Sequence, residues 1–247
     1  MFISHTSTRL FRPTVVALTF ALVAAFSLPG ANACVPSPGD PTQQDQVAAL
    51  KQSVQENQVR LKRYEWIETT AVIVKGDEKS RTQNQCYYGA DGKQQKVPLA
   101  SNAPQEAPKR GLRGRIIENK KEEMTEYMHQ AVALVHAYVP PDNELIQAAK
   151  NAGKVAARPL PGNAMAIEIS DYRMQGDLVT FTFDRSLSRI LSVRIQSYIE
   201  SPQDAITLDV RFSALPDGTN HPEFITLDAP AKNIRVTVEN TGYRPGR

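Results

Sequence analysis

The chain has 247 residues, is 41% hydrophobic and 22% charged, and carries a formal net charge of +3. Arg9 and Arg12 supply two of those three charges and lie in a removable N-terminal segment, so no global positive field remains to suit nucleic acid or an anionic membrane. With only 2 cysteines the chain cannot be a disulfide-built scaffold, and its stability has to come from an apolar core.

The N-terminus has the anatomy of a secretory signal peptide over residues 1–33. Arg9 and Arg12 form the basic region, residues 15–28 the apolar region, and Ala31-Asn32-Ala33 the small-residue cleavage site. The apolar run is too short to cross roughly 30 Å of hydrocarbon comfortably, so the mature chain is expected to have no transmembrane span and to reach the periplasm through the Sec pathway. Cleavage after Ala33 makes Cys34 the first mature residue, with three fates open to it. It can accept lipid as in a membrane-anchored bacterial lipoprotein, although Ala31 stands where a lipobox usually has Leu; it can bridge to Cys86; or it can simply begin a soluble chain. Cys86 without a bridge would be a small buried hydrophobe.

Residues 34–41, with three prolines and a glycine, read as a flexible N-terminal segment, residues 42–242 as one domain, and residues 243–247 as a tail. Residues 42–63 predict an amphipathic helix with Val47, Leu50, Val54, Asn57 and Leu61 near one face. Residues 64–74 switch to aromatic and β-branched types, Lys75-Gly76-Asp77-Glu78 is a turn, and residues 80–88 form a second strand. After the turn Gly89-Ala90-Asp91-Gly92, residues 94–99 offer a short third strand, and Pro104 and Pro108 mark a surface loop.

Lys109, Arg110, Arg113 and Arg115 then form a basic cluster, solvated at a loop and helix start or facing an anionic partner. Residues 112–139 predict a helix, charged in its front half and apolar behind, where Met124, Met128, Ala131, Leu134, Val135 and Tyr138 recur; Pro140-Pro141 ends it. Asp142 is placed to cap a shorter helix through Leu145, Ile146 and Ala149, closed by Gly153. From Met165 onward the period is two. Val179, Phe181 and Phe183 alternate with threonines, and similar runs follow at Leu191 to Ile195, Ile206 to Phe212, Ile225 to Leu227 and Ile234 to Val238. Short turns between them imply an antiparallel meander, and its dry face must be covered by the helices or by a ligand.

A signal peptide, a first helix, Tyr64-Glu65-Trp66 opening a sheet, helices inserted midway, and a late meander from Phe181-Thr182-Phe183-Asp184 to Leu191-Ser192-Val193 together resemble the periplasmic lipoprotein carrier and outer-membrane lipoprotein-sorting superfamily. The resemblance implies an α+β fold, a strongly curved antiparallel sheet forming an unclosed half-barrel with helices covering its concave face, and the holding of an acyl chain during transit. Tyr87-Tyr88-Gly89-Ala90-Asp91-Gly92-Lys93 also resembles a turn in an uncharacterised group of exported bacterial proteins and implies no function.

Glu126 and His129 have the Glu-x-x-His spacing of a di-iron helix, with His136 further along, but the chain has no second such pair, and no metal site is expected. It has no Gly-x-Ser-x-Gly elbow and no phosphate-cradling glycine loop. The expectation is a non-enzymatic binding or carrier protein for a lipid, lipoprotein acyl chain or other apolar ligand, without cofactor or nucleic-acid partner. Trp66, Met128, Phe181, Phe183 and Phe212 are the candidate cavity wall. The alternative is an envelope structural or protein-interaction module with a fully packed core.

Overall fold

The computed structural model describes residues 52–53, 55–101, 112–138 and 141–246. The expected signal peptide, Cys34, the segment 34–41, the start of the first helix, Lys109 and Arg110 lie outside them; Arg113 and Arg115 fall in the first turns of the long helix.

A helical run over 55–61 (α1) leads into β1 (Tyr64–Val74), β2 (Asp77–Tyr88) and β3 (Gln94–Ser101). Two helices follow, α2 (Leu112–Tyr138) and α3 (Asn143–Asn151). Seven strands complete the chain: β4 (Val155–Pro159), β5 (Ala164–Ser170), β6 (Leu178–Asp184), β7 (Arg189–Tyr198), β8 (Ala205–Ala214), β9 (Asn220–Ala229) and β10 (Ile234–Pro245). All ten strands form one antiparallel, unclosed sheet in the order β3-β2-β1-β10-β9-β8-β7-β6-β5-β4.

The period-two pattern places one apolar row across this sheet. Ile167, Phe181, Val193, Val210, Ile225 and Val238 stand opposite one another in register, and Thr70 of β1 continues the row. Each large aliphatic or aromatic side chain buried in it contributes roughly 1.5–3 kcal/mol. The alternate positions face away, where Arg194 and Asp209 form an exposed ion pair at 3.3 Å.

Because β3 and β4 are the two edges, the chain between them must cross the whole sheet. Ten strands at their usual spacing are roughly 43 Å wide, and the 27 residues of α2 make a helix about 40 Å long. Tyr127, Ala131, Val135 and Tyr138, spaced by four, four and three, share one buried cluster with Ile146 and Ala149 of α3 and the apolar rows of β5 to β10. At one point along α2, Lys232 between β9 and β10 pairs with Glu123 and lies over the Tyr127 ring, whose hydroxyl donates to Asp204 at 2.8 Å. At its end the Tyr138 hydroxyl donates to Asp177 and meets Ser197 Oγ at 2.9 Å. The described helix runs to Tyr138, two residues before Pro140.

Asp142 caps α3 as expected, its Oδ1 accepting from the Glu144 N–H at 2.8 Å, and Gly153 follows the helix with φ of +71°. The Asp142 N–H donates to the Tyr172 hydroxyl oxygen at 2.6 Å, tying the cap to the loop before β6.

Two elements depart from the sequence reading. β4 shows no alternation because four of its five residues are exposed: an edge strand has one neighbour and little to bury. β10 continues past Gly242 to Pro245, so residues expected in a tail are paired with β1, Arg244 donating to Glu65 at 2.5 Å.

The carboxylate of Asp177 is the knot of the α2–sheet junction. It is 2% exposed and accepts from the Tyr138 hydroxyl and from the backbone N–H groups of Tyr172, Arg173 and Met174. Asp177→Ala orphans those donors and is expected to lower stability by about 3 kcal/mol, whereas Tyr138→Phe removes the bonds to Asp177 and Ser197 but leaves the backbone donors of Asp177 satisfied and costs about 1–2 kcal/mol. Urea denaturation at neutral pH measures both.

Candidate functional site

The end of the sheet away from α2 is built differently. Here α1 presents Asn57, Arg60 and Leu61, spaced i, i+3 and i+4 and therefore on one face, toward the ends of β7, β8 and β9, with Ser53 also in the lining. Asn57 is polar at an apolar position of the helical pattern, and the structure shows why. Its Nδ2 donates to the Asn220 carbonyl at 2.7 Å while its Oδ1 accepts from the Asn220 N–H at 2.6 Å, so the side chain pairs with β9 as a neighbouring strand would.

Beneath α1 lies a cleft of about 230 Å³. Phe212 and Pro222, opposite each other in register just beyond a bulge at Arg211/Phe212, form its apolar floor with Ile190. The turn between β6 and β7 contributes Leu187, 58% exposed, and the β2–β3 end contributes the paired Tyr88 and Gln94. Gly218, at φ of +81°, turns β8 back into β9 at the rim. The lining holds two cations, Arg60 and Arg189, and no carboxylate. Two buried polar atoms in that lining have no hydrogen-bond partner, Arg60 Nε and Asn220 Oδ1. The orientation of the Asn220 amide is set by its Nδ2, which donates to the Ile190 carbonyl at 2.9 Å.

An aromatic array on β1, β2 and β10 stiffens one side of the cleft. Trp66 stacks on Tyr243 at 5.5 Å with an interplanar angle of 11°, and Tyr88 packs on Trp66 at 5.7 Å. The His221 ring lies 4.1 Å from that of Tyr243. Trp66 Nε1 donates to Asn240 Oδ1 at 3.0 Å, and Asn240 Nδ2 donates to the Pro222 carbonyl at 2.9 Å, which links the array to the cleft floor. Nearby, Lys96 of β3 reaches across β2 to both oxygens of Glu68, at 2.6 and 2.8 Å, with side chains only 12% and 8% exposed. Cys86 beside them is fully buried, and burial pushes its thiol up to about 11.

Of the five expected wall residues, Phe212 lines the cleft; Phe181 and Phe183 are buried in the helix–sheet cluster, Met128 packs against it, and Trp66 belongs to the aromatic array. Glu126, His129 and His136 are exposed on α2. Arg60, Arg189 and Asn220 could not be singled out from the sequence, because they come together only through the pairing of distant strands.

No family model and no curated protein matches this chain. Among solved structures it is similar to a DUF1329 family protein from Desulfovibrio piger, at 10% identity and a TM-score of 0.38 over 80% of this chain and 92% of the other. It is also similar to a LolA superfamily protein from Nitrosomonas europaea, at 10% identity and a TM-score of 0.34 over 81% and 93% of the two chains. Neither likeness assigns a residue or an activity here.

The buried titratable groups define a pH window for stability. Burial raises the thiol of Cys86 and the hydroxyls of Tyr88, Tyr127, Tyr138, Tyr172 and Tyr243, so the unfolded chain releases these protons first and stability falls as pH rises from about 9. Burial lowers His221, so its contribution is present above the ordinary histidine value of 6.5 and is lost as pH falls through the lower folded value. The urea midpoint should be highest between these limits, and His221→Phe should flatten the acid side just below pH 6.5.

Proposed function

We propose that this is a periplasmic, non-enzymatic binding or carrier protein that holds a lipid, acyl chain or other apolar ligand in the cleft beneath α1. The cleft itself carries the reading. Phe212, Ile190, Pro222 and Leu61 offer apolar surface under a helix whose described residues contribute nothing to the main buried cluster and whose Asn57 is clamped to Asn220. Helices covering the concave face of a half-barrel are part of the same reading, with α2 and α3 packed in the main cluster and α1 over the cleft.

Several features support a role without catalysis and outside the cytoplasm. The cleft lining has no carboxylate, imidazole or thiol to activate a nucleophile, while Cys86 and His221 are buried beside it. No described helix is long and apolar enough to cross a membrane, and the N-terminal segment has the pattern of an export signal. One observation favours a second reading as an envelope interaction module: edge strand β3 exposes Val97 and Leu99, 45% and 52% accessible, beside Tyr87.

At about 230 Å³ the cleft lies below the roughly 300 Å³ at which small-molecule pockets usually begin, so it suits a segment of one chain rather than a whole lipid. Each methylene buried contributes about 0.8 kcal/mol, or roughly fourfold in affinity. Displacement of an environment-sensitive fluorescent fatty acid by alkyl chains of increasing length should therefore show a steep rise that ends once the cleft is filled, and Leu61→Asp should weaken binding at least tenfold. Absence of uptake, together with absence of lipid in native mass spectra of envelope-purified protein, would leave the interaction module as the better reading.

A further inference from the structure

Resting on the acyl-binding reading above, we infer that the cleft selects an anionic single-chain amphiphile, its carboxylate or phosphate head held by Arg60 and Arg189 and its chain laid over Phe212 and Ile190.

The described cleft lining includes both arginines and no acidic residue, and neither arginine forms an ion pair within 4.0 Å among the described residues. The carboxylates whose charge reaches them are already engaged in their own turns. Asp217, near Arg60, accepts from the Tyr64 hydroxyl at 2.8 Å and from the Thr219 N–H and hydroxyl, both at 2.9 Å. Asp184, near Arg189, accepts from the Ser186 hydroxyl at 2.6 Å and from the N–H groups of Ser186 and Leu187 at 2.9 and 3.1 Å. These carboxylates shape the turns that carry the cleft rim, and the arginines keep free donors.

The unpaired atoms sharpen the choice. A buried donor without an acceptor is unfavourable, and Arg60 Nε is one. An anionic oxygen supplies its acceptor with a charge-assisted hydrogen bond. Asn220 Oδ1, also unpaired, is an acceptor and disfavours an anion near it, which directs the head group to the arginines and leaves the Phe212–Pro222 floor for the chain. A purely apolar ligand would leave Arg60 Nε unsatisfied.

The test compares laurate, dodecyl phosphate, dodecanol and dodecyltrimethylammonium as competitors of a fluorescent fatty acid on the full mature chain, in wild type, Arg60→Gln, Arg189→Gln and Arg60→Lys. The expected result is that the two anions bind roughly tenfold or more tightly than the alcohol, that the cation binds worst, and that rising salt erodes the difference. Each Gln variant should lose most of the preference for anions while keeping the affinity for dodecanol, and Arg60→Lys should retain more of it than Arg60→Gln. The order of laurate and dodecyl phosphate identifies which head group fits. Equal binding of laurate and dodecanol, unchanged in both Gln variants, overturns the head-group assignment and leaves an apolar cleft standing. Binding of none of the four overturns the cleft as a ligand site as well.

Discussion

Everything at the cleft-bearing end of this molecule depends on the pairing of β1 with β10, from Tyr64 opposite Pro245 to Val74 opposite Ile234. The three N-terminal strands and the later seven are each sequential antiparallel runs, and this one ladder makes them a single sheet. It closes nearly the whole described chain into a loop, an entropic cost that local hairpins do not carry. It also fixes where α1 lies. The helix leads directly into β1, so joining β1 to β10 brings α1 over the ends of β7, β8 and β9, and Asn57 meets Asn220 because of it. The Arg63 carbonyl accepting from the Gly246 N–H at 2.7 Å closes the same junction.

One face of the sheet consequently carries two environments. In the cluster shared with α2 and α3 the rows from β5 to β10 are apolar, and the Asp177 carboxylate there is fully engaged. Along β1, β2 and β3 the same face holds Trp66, Asn84, Cys86, Tyr88, Glu68 and Lys96. A buried ion pair such as Lys96–Glu68 adds little net stability, because desolvation offsets much of its attraction. Its value here is in register: it spans β2 to lock β3 against β1, and a one-residue slip of β3 would turn Lys96 to the opposite face. The cleft opens between the two environments, where neither the apolar core nor the polar array fills the space.

Most of the elements were legible in the sequence because their causes are local. Alternation at Val179 to Phe183 and at Ile206 to Val210, the proline pair after Tyr138, the Asp142 cap and the glycine turns each act over a few residues. β4 was not legible, since an exposed edge strand such as Val155–Pro159 has no buried face to generate a period. The extension of β10 was hidden by Gly242 and by polar residues whose partners, such as Glu65, lie at the other end of the chain. The site was the least legible part. Phe212 was identifiable as an aromatic on a dry strand face, but Arg60, Arg189 and Asn220 look like ordinary surface residues until the non-local ladder assembles them. Asn57, an amide within an apolar helical stripe, was the one sequence signal that pointed toward the junction.

The most direct measurement is photo-cross-linking of the mature protein with a diazirine-bearing fatty acid, followed by mapping of the modified peptides. Labelling is expected at 57–61, 187–190 and 212–222, three segments that line the cleft, with competition by unlabelled fatty acid. Saturable labelling confined to the faces of α2 and α3 between 124 and 149, with those three segments unmodified, would contradict binding in the cleft.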